Sequence, residues 1–330
     1  MTPQPPPALS VILLAASSAT PLARVLGCLQ AQSLQSGIEI VIVAPHREAL
    51  VLAAGQVEGF HSLQVVETGP IRAIGPAYAA GVRSAHAAVV AFGEDHSFPD
   101  AGWAEALLEA HGERIAAVGP AVRNANPFNA VSWADLLIAY APWLDPAPAG
   151  EAAFLPGHNS SYRREVLLAC GERLEELLEN ETLLHWELRR RGLRLRLQPR
   201  AVTAHTNFGQ LFPWLPVQFR CGRLFAAGRC EGWPLPSRLL YAAAAPLIPP
   251  LRLWRIGREL ARPERRSLRL PAGSLWLVLL GLAADGLGQL VGAALGPGDA
   301  ARGFAEAEFS RDRWLGSSAS PAATAQLPRC

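Results

Sequence analysis

Lysine is absent from this sequence, and all 30 basic side chains are arginines. Nucleotidyltransferases usually carry a glycine-rich loop with a lysine near the N-terminus, and no such loop is present here. The formal net charge is only +2, so the chain has no strong positive field that would attract nucleic acid. These absences argue against a nucleotidyltransferase and against a nucleic-acid partner.

Cysteine is also scarce, with five residues and no C-x-x-C pair. This spacing argues against a structural zinc site or a disulfide framework and favours reduced thiols in a cytosolic setting. Charged residues make up 18% of the chain and hydrophobic residues 50%, which is a low charge content for a soluble domain. The apolar excess predicts either an unusually apolar core or contact with a membrane. No basic region precedes the first apolar segment, which argues against a signal peptide.

Apolar runs alternate with helical patterns along roughly the first 120 residues, an order typical of α/β proteins. Buried strands are predicted at Leu9–Ala16, Ile38–Ala44, Leu63–Glu67, Ala88–Phe92 and Ile115–Val118. Further on, helices are predicted at Arg164–Leu178 and Thr182–Arg191, and short strands at Leu193–Leu197 and Ala201–His205. The pattern predicts an α/β fold with a three-layer, mostly parallel sheet and flanking helices. Ligands of open α/β sheets bind at the carboxyl ends of the strands.

The fourth predicted strand ends in three candidate metal ligands, Glu94, Asp95 and His96. In an extended chain, residues i and i+2 point the same way, so Glu94 and His96 can face one cation. Carboxylate oxygens suit magnesium and manganese, and manganese also accepts imidazole. The triplet therefore suggests a divalent cation, Mn or Mg, and a phosphorylated small molecule. The simpler interpretation is a strand end with solvated charges.

Two polar segments and one histidine are further candidates. His158, Asn159 and Ser160 precede a predicted helix, where they would either bind a ligand or form a capped helix start. Glu179 and Glu181 lie at another predicted helix start, where carboxylates also stabilise the helix dipole. His205 follows the last predicted strand, and a lone histidine there is either structural or a ligand.

Several segments resemble glycosyltransferase family 2, whose members have the type A nucleotide-diphospho-sugar transferase fold. In that family a strand ending in three acidic residues is followed by a Pro-x-x-Trp helix start, and Glu94, Asp95 and His96 take the three acidic places here. The matching segments are Ser10–Leu14, Pro21–Ser33, Glu39–Val43, Ala88–Asp95 and Pro99–Leu107. The resemblance spans roughly residues 9–207 and implies an inverting transferase that moves a sugar from a nucleoside-diphosphate sugar to a glycan or lipid-linked acceptor.

The resemblance also implies roles for these residues. Glu94, Asp95 and His96 would hold the cation on the donor diphosphate, with His205 assisting. Glu181 takes the place of the general base. Glu179 is its close rival, because a small shift of the alignment exchanges the two. The segment around His158, Asn159 and Ser160 corresponds to one that lies near the donor sugar and the acceptor, so these residues are predicted to bind substrate.

The nucleotide end departs from the family pattern. Ala77–Gly81 lacks the arginine and asparagine found at the equivalent helix, and Arg72 is the suggested substitute for that arginine. The base-reading aspartates after the second strand are missing as well. This loss leaves open a catalytically inactive glycosyltransferase-like binding or scaffold protein at the membrane. A nucleotidyltransferase is the less favoured alternative.

Residues 211–330 differ from the predicted catalytic region, residues 1–210, because they are mainly helical, apolar and rich in arginine. Ser274–Leu295 has the length of a bilayer span, but Asp285 at mid-membrane would cost about 3 kcal/mol. An arginine belt between Arg252 and Arg269 precedes it. We expect this region to form an interfacial or re-entrant element on an anionic membrane surface. A packed helical lobe is the second alternative, and a transmembrane span is the third. The expected location is the cytoplasmic face of the cell membrane or the cytoplasm.

Overall fold

The computed structural model describes residues 5–16, 22–50, 52–53 and 55–314. Pro21, where one family-like segment begins, lies outside these residues, as does the end of the region 211–330. The strands are β1 (Leu9–Leu14), β2 (Ile38–Ala44), β3 (Ser62–Glu67), β4 (Val89–Gly93), β5 (Ser97–Pro99), β6 (Ile115–Asn124), β7 (Gly150–Ala152), β8 (Ser161–Arg163) and β9 (Arg194–His205). The helices are α1 (Leu22–Gln30), α2 (Ile74–Ser84), α3 (Trp103–Ala110), α4 (Ala130–Tyr140), α5 (Arg164–Leu168), α6 (Leu174–Glu179), α7 (Glu181–Arg190), α8 (Leu211–Arg229), α9 (Leu235–Ala244), α10 (Ile248–Leu260), α11 (Ser274–Leu295) and α12 (Ala300–Glu308).

Within the described ranges, the nine strands form one mixed sheet. Its order is β3-β2-β1-β4-β8-β6-β9-β5, and β7 pairs with β9. The strands from β3 to β4 are parallel, whereas β8 runs antiparallel to both β4 and β6. Every residue of β1 and β2 is buried, as expected for parallel strands covered on both faces. The sheet flanked by helices confirms the predicted α/β fold.

Some predicted elements have different limits in the structure. The two short strands predicted at Leu193–Leu197 and Ala201–His205 form the single strand β9. The helix predicted at Arg164–Leu178 divides into α5 and α6, because Gly171 between them has a positive φ of 60° that interrupts helical geometry. β5 and β8 have three residues each, which is too short for a periodic pattern to reveal.

The thiols follow the sequence expectation only in part. Cys170, Cys221 and Cys230 are free, as expected for reduced cysteines. Cys28, in contrast, is disulfide-bonded, so the expectation of a reduced thiol is wrong for this residue. Burial raises the pKa of the Cys221 thiol well above its usual range, which keeps that sulfur protonated and unreactive.

The described residues divide into two compact units. Among the described residues, unit one contains those up to Val122 and Pro148–Ala204, and unit two contains Arg123–Ala147 and those from His205 to Trp314. β6 and β9 each run slightly past the division, and both are described with the sheet. Unit two is helical, being built from α4 and α8 to α12.

In unit two, α11 packs closely against α8 through glycines. A β-carbon at Gly288 would lie 2.0 Å from the carbonyl oxygen of Phe219, and one at Gly222 would lie 2.0 Å from that of Asp285. The glycines of α11 thus let two helix backbones approach each other. Asp285 is buried and accepts a hydrogen bond from Arg252 at 2.8 Å.

Helix α11 has the limits predicted from the sequence, Ser274–Leu295. In the described part of the chain it is the one helix long and apolar enough to cross a membrane by length and composition. Half of its most apolar window is buried inside the protein. A core helix passes the same test, so the membrane role of this region stays a prediction.

Candidate active site

Glu94 follows β4 directly, at the carboxyl end of a strand that lies between β1 and β8 near the middle of the sheet. Its carbonyl oxygen accepts a hydrogen bond from the backbone N–H of Ser97 at 3.2 Å, which closes the turn into β5. The side chain of Glu94 is buried. The sheet therefore brings the triplet Glu94, Asp95 and His96 to the edge at which α/β proteins bind ligands.

Two neighbouring residues from the segment before β8 hold the Glu94 carboxylate. His158 Nδ1 lies 3.2 Å from Oε1 of Glu94, and Asn159 Nδ2 donates to Oε2 at 3.3 Å. The amide oxygen of Asn159 accepts from the Ser97 hydroxyl at 2.6 Å, which fixes the amide orientation. Asn159 thus links the segment before β8 to both ends of the Glu94 turn.

His158 also forms an ion pair with Glu181 through Nε2, so its ring bridges two carboxylates. Burial opposes a charge on this imidazole, but the attraction of Glu181 and Glu94 prevails and raises the pKa of His158 well above 6.5. Tyr78 stacks on the ring with centroids 5.2 Å apart, and its hydroxyl donates to the carbonyl of Gly93 at 3.1 Å. The His158 imidazole is therefore held at both nitrogens and on one face.

The backbone at Gly157 approaches the Glu181 carboxyl group closely. A β-carbon at this position would lie 2.6 Å from the carboxyl carbon of Glu181. Any larger residue would displace that side chain from His158. The Glu181 carboxylate that this position faces therefore explains why a glycine stands here.

The two rival carboxylates have different surroundings. Glu179 ends α6 and accepts a hydrogen bond from the backbone N–H of Gly75, at the start of α2, at 2.7 Å. Burial and the nearby charge of Glu181 raise the pKa of Glu179 above its usual value, against the opposing effect of that hydrogen bond. Glu181 begins α7 and pairs with His158. The structure thus places Glu181, rather than Glu179, in contact with His158.

Sequence reasoning missed a second buried pair close to Glu181. Tyr162 on β8 shares a hydrogen bond with His185 Nε2 at 2.8 Å, and the Leu155 backbone N–H donates to Nδ1 at 3.4 Å. Burial lowers the pKa of His185 to about 4, so the ring is neutral near pH 7. His185 lies one helical turn after Glu181, and this i, i+4 spacing is the signal that could have revealed it.

Glu94, His96 and His205 each offer a ligand atom, and the three atoms lie within 4.8 Å of one another. His205 is the last residue of β9, which carries it to the edge of the sheet. His96 Nδ1 hydrogen-bonds to Asp95 Oδ1 at 2.6 Å, and His205 Nδ1 to Asn207 Oδ1 at 2.9 Å. These bonds place the proton on Nδ1, so Nε2 of each ring would be the ligating atom.

Asp95 lies outside this group of three, because its contact is with the His96 ring. The Asn207 amide is itself oriented by a hydrogen bond from its Nδ2 to Asn124 Oδ1 at 3.0 Å. Asp95 and Asn207 therefore occupy equivalent places behind the two imidazoles. Asn207 was not singled out from the sequence, although it follows His205 by two residues.

Two of the residues predicted to bind substrate, Ser160 and Arg72, have different surroundings from His158 and Asn159. The Ser160 hydroxyl donates to the carbonyl of Pro156, and the Ser160 carbonyl accepts from the Phe92 backbone, so this residue joins β8 to β4. Arg72 is exposed in the segment before α2 and has no hydrogen bond or ion pair to the described residues around Glu94. The structure thus brings His158 and Asn159 to the carboxylates and gives Ser160 a structural contact.

No protein-family profile and no curated protein matches the sequence. The structure is similar to that of the mannosyltransferase PcManGT from Pyrobaculum calidifontis in complex with GDP-Man and Mn²⁺, with a TM-score of 0.53 and 16% identity. The match covers 86% of this chain and 87% of that one. A second match, GalNAc-T7 with UDP, GalNAc and Mn²⁺, has a TM-score of 0.44 and 13% identity over 61% of this chain and 44% of that one, which is too distant for any argument. The first likeness confirms the predicted type A glycosyltransferase fold.

Proposed function

We propose that this protein is an inverting glycosyltransferase that moves a sugar from a nucleoside-diphosphate sugar to a glycan or lipid-linked acceptor. A fold alone does not define an activity, so this proposal rests on the residues of the candidate site. The observation that supports it is the bridge formed by His158 between Glu94 and Glu181, at the carboxyl end of β4. Through this bridge, one carboxylate that could hold a cation and another that could accept a proton share the same imidazole.

Glu181 is the general base of the proposed reaction. Its carboxylate accepts the proton of the acceptor hydroxyl while that oxygen bonds to the anomeric carbon of the donor sugar. The bond from that carbon to the diphosphate oxygen breaks on the opposite side, which inverts the anomeric configuration. His158 fixes the direction of the Glu181 carboxylate, and Tyr78 fixes the plane of the His158 ring. Glu179 remains tied to the backbone of α2 and takes no part.

The residues around Glu94 fit a divalent cation. Glu94, His96 and His205 would hold it, and Asp95 and Asn207 would orient the two rings. A donor set of one carboxylate and two imidazoles suits manganese better than magnesium, which prefers oxygen ligands. When bound, the cation supplies positive charge that stabilises the departing nucleoside diphosphate. PcManGT is described in complex with GDP-Man and Mn²⁺, which makes this donor and this metal the first probes to use.

Calorimetric titration of the purified full-length protein with GDP-mannose and UDP-sugars, with and without manganese, tests the proposal. We expect manganese-dependent binding of one donor, and slow release of the nucleoside diphosphate by hydrolysis. Glu94→Gln should abolish the manganese dependence. Glu172→Gln, an exposed carboxylate on the loop between α5 and α6, is the matched control and should bind like the wild type.

Absence of nucleoside-diphosphate binding in the presence of manganese would contradict the proposal. Metal-dependent binding with neither hydrolysis nor transfer would support the alternative, a catalytically inactive binding protein. Inversion has a separate test, since nuclear magnetic resonance of the first-formed product reports the anomeric configuration. A retained configuration would exclude Glu181 as the base of a single displacement.

A further inference from the structure

Large apolar side chains are exposed on three consecutive helices of unit two. Leu240 is 73% exposed and Trp276 is 70% exposed. We name the exposed faces of α9, α10 and α11 the α9–α11 surface. Its apolar members are Leu240, Leu251, Trp254, Trp276, Leu280 and Leu287. Scattered exposed hydrophobic residues are ordinary, but a concentration on adjoining helices marks an interaction site.

On α10 and on α11, the spacing of the exposed residues places them on one face of the helix. Leu251, Trp254, Arg255 and Arg258 recur at i, i+3, i+4 and i+7, which places them on one face of α10. Trp276, Leu280 and Leu287, at i, i+4 and i+11, also lie on one face of α11, and the opposite side of α11 packs on α8 through Gly288 and Gly292. α9 and α10 both pack against α11, so the three helices that carry the exposed residues adjoin one another.

The surface is positively charged as well as apolar. Arg255, Arg258, Arg266 and Arg269 are exposed in and after α10. Glu259 is held by Arg262 at 2.7 Å and Arg265 at 3.1 Å. The guanidinium of Arg258 lies 5.0 Å from the ring centroid of Trp254. Tryptophan beside arginine is the combination found where a protein meets lipid headgroups, because the ring is amphipathic and the guanidinium binds phosphate.

We propose that the α9–α11 surface binds an anionic bilayer, with the leucines and tryptophans entering the headgroup region and the arginines pairing with lipid phosphates. The helices would lie in the plane of the membrane and not across it. The buried side of α11 supports this orientation, since Asp285 is paired there with Arg252 and the glycines contact α8. The proposal is independent of sugar transfer, although a bilayer at this surface would suit a lipid-linked acceptor on the cytoplasmic face.

The observations favour a bilayer over a second copy of this chain. A two-fold dimer would bring the same surface of each copy together, and the exposed arginines would then face one another. Such like charges repel at close range, and the one exposed carboxylate among the described residues from Ile248 to Arg269, Glu264, offsets only part of the charge of the four exposed arginines. An anionic membrane offers the complementary charge across the whole surface.

Vesicle flotation with the full-length protein tests this inference. We expect binding to phosphatidylcholine vesicles that contain phosphatidylglycerol, and little binding to phosphatidylcholine alone. Arg255→Gln with Arg258→Gln should weaken binding about thirty-fold at low salt, because each arginine near an anionic surface contributes to the attraction. The matched control, Arg173→Gln with Arg302→Gln, removes the same charge from exposed sites outside the surface and should leave binding unchanged.

The apolar contribution has its own variant. Leu240→Gln combined with Trp276→Gln should reduce binding by at least about tenfold even at high salt, where charge is screened. Leu168→Gln, an exposed leucine of unit one, is the control. Circular dichroism and thermal melting check that each variant is folded. If the wild type binds no vesicles, or if it forms a dimer that the Leu240 and Trp276 variant dissociates, the bilayer proposal is wrong. Donor binding is measured by calorimetry in parallel and without vesicles. A failure of vesicle binding therefore does not contradict the proposed transferase function.

Discussion

Both units of this protein bury carboxylates, and the partners of Asp135 in unit two differ from those of Glu94 and Glu181 in unit one. In unit two, Asp135 accepts hydrogen bonds from the backbone of Phe208 at 3.0 Å, the indole of Trp214 at 2.8 Å and the amide of Gln218 at 3.1 Å. Arg311 lies 3.4 Å away as well. These donors lie on separate parts of the helical unit, so Asp135 holds that unit together.

In unit one, Glu94 and Glu181 have one ionisable partner in common, His158. Glu181 faces an imidazole at the sheet edge, and not a set of fixed amide and indole donors. Burial of a charge is therefore not what distinguishes the candidate site. The distinction is whether the partners are fixed hydrogen-bond donors or groups that can exchange a proton or a ligand.

The largest effect should come from the proposed base. Glu181→Gln keeps the shape of the side chain but cannot accept a proton, so kcat should fall by about 10²- to 10⁴-fold. Manganese-dependent donor binding should remain, because Glu181 is not one of the proposed metal ligands. Steady-state transfer assays and calorimetry measure the two quantities. Glu179→Gln is the control and should change kcat by less than about tenfold; equal losses in both variants would remove the distinction between the two carboxylates.

Asp135 should show the opposite profile, a loss of stability without a specific loss of chemistry. Asp135→Ala leaves the donors of Trp214, Gln218 and the Phe208 backbone buried without an acceptor, which should cost about 3–5 kcal/mol of unfolding free energy. Urea denaturation measures this loss, and Asp135→Asn serves if the alanine variant does not fold. Glu306→Ala, an exposed carboxylate of α12, should stay within about 0.5 kcal/mol of the wild type.

The buried His185 provides a pH test of unit one. Its pKa is about 4 in the folded protein against 6.5 in the unfolded chain, so the unfolded state binds the extra proton between these values. Stability should be complete above pH 6.5 and decline by about 3 kcal/mol as the pH falls towards 4. His185→Gln should remove that part of the decline, whereas His46→Gln, at an exposed site, should not. An unchanged slope in His185→Gln would mean that another group causes the acid sensitivity.

The smallest effects should come from a pair of glycines. Gly288→Ala places a β-carbon against the Phe219 carbonyl and should destabilise the protein by about 1–3 kcal/mol. Gly27→Ala in α1 meets nothing within 4 Å, so the better helix propensity of alanine should stabilise the protein by up to about 1 kcal/mol. Thermal melting distinguishes the two signs. If Gly288→Ala leaves the stability of the protein unchanged, α8 and α11 can move apart without a loss of unfolding free energy.

Local patterns were sufficient for much of the fold. The alternation of apolar runs and helical segments predicted β1 to β4, and the limits of α11 matched because a long apolar stretch is bounded by glycines on both sides. The antiparallel strand β8 was not predicted, since three residues carry no period. The disulfide-bonded state of Cys28 was not predicted either, because cysteine spacing along a chain does not report which thiols meet.

The candidate site was predictable as a set of residue types but not as an arrangement. Glu94, His96 and Glu181 were singled out because carboxylates and imidazoles after strands and at helix starts are chemically informative. The bridge through His158 could not be derived, because it joins a strand end, a loop and a helix start that are far apart in sequence. The places of Asp95 and Asn207 behind the two histidines follow from side-chain hydrogen bonds, which no spacing rule specifies.

By itself, the sequence determined the α/β architecture, the edge of the sheet that carries the charged triplet, and the apolar, arginine-rich character of the C-terminal region. These depend on short-range periodicity and composition, which the chain displays in one dimension. Only the tertiary structure decided which of Glu179 and Glu181 faces His158, and which side of α11 is buried. Both outcomes depend on contacts between distant segments, where close packing and the need to pair buried charges select one arrangement among several that the sequence allows.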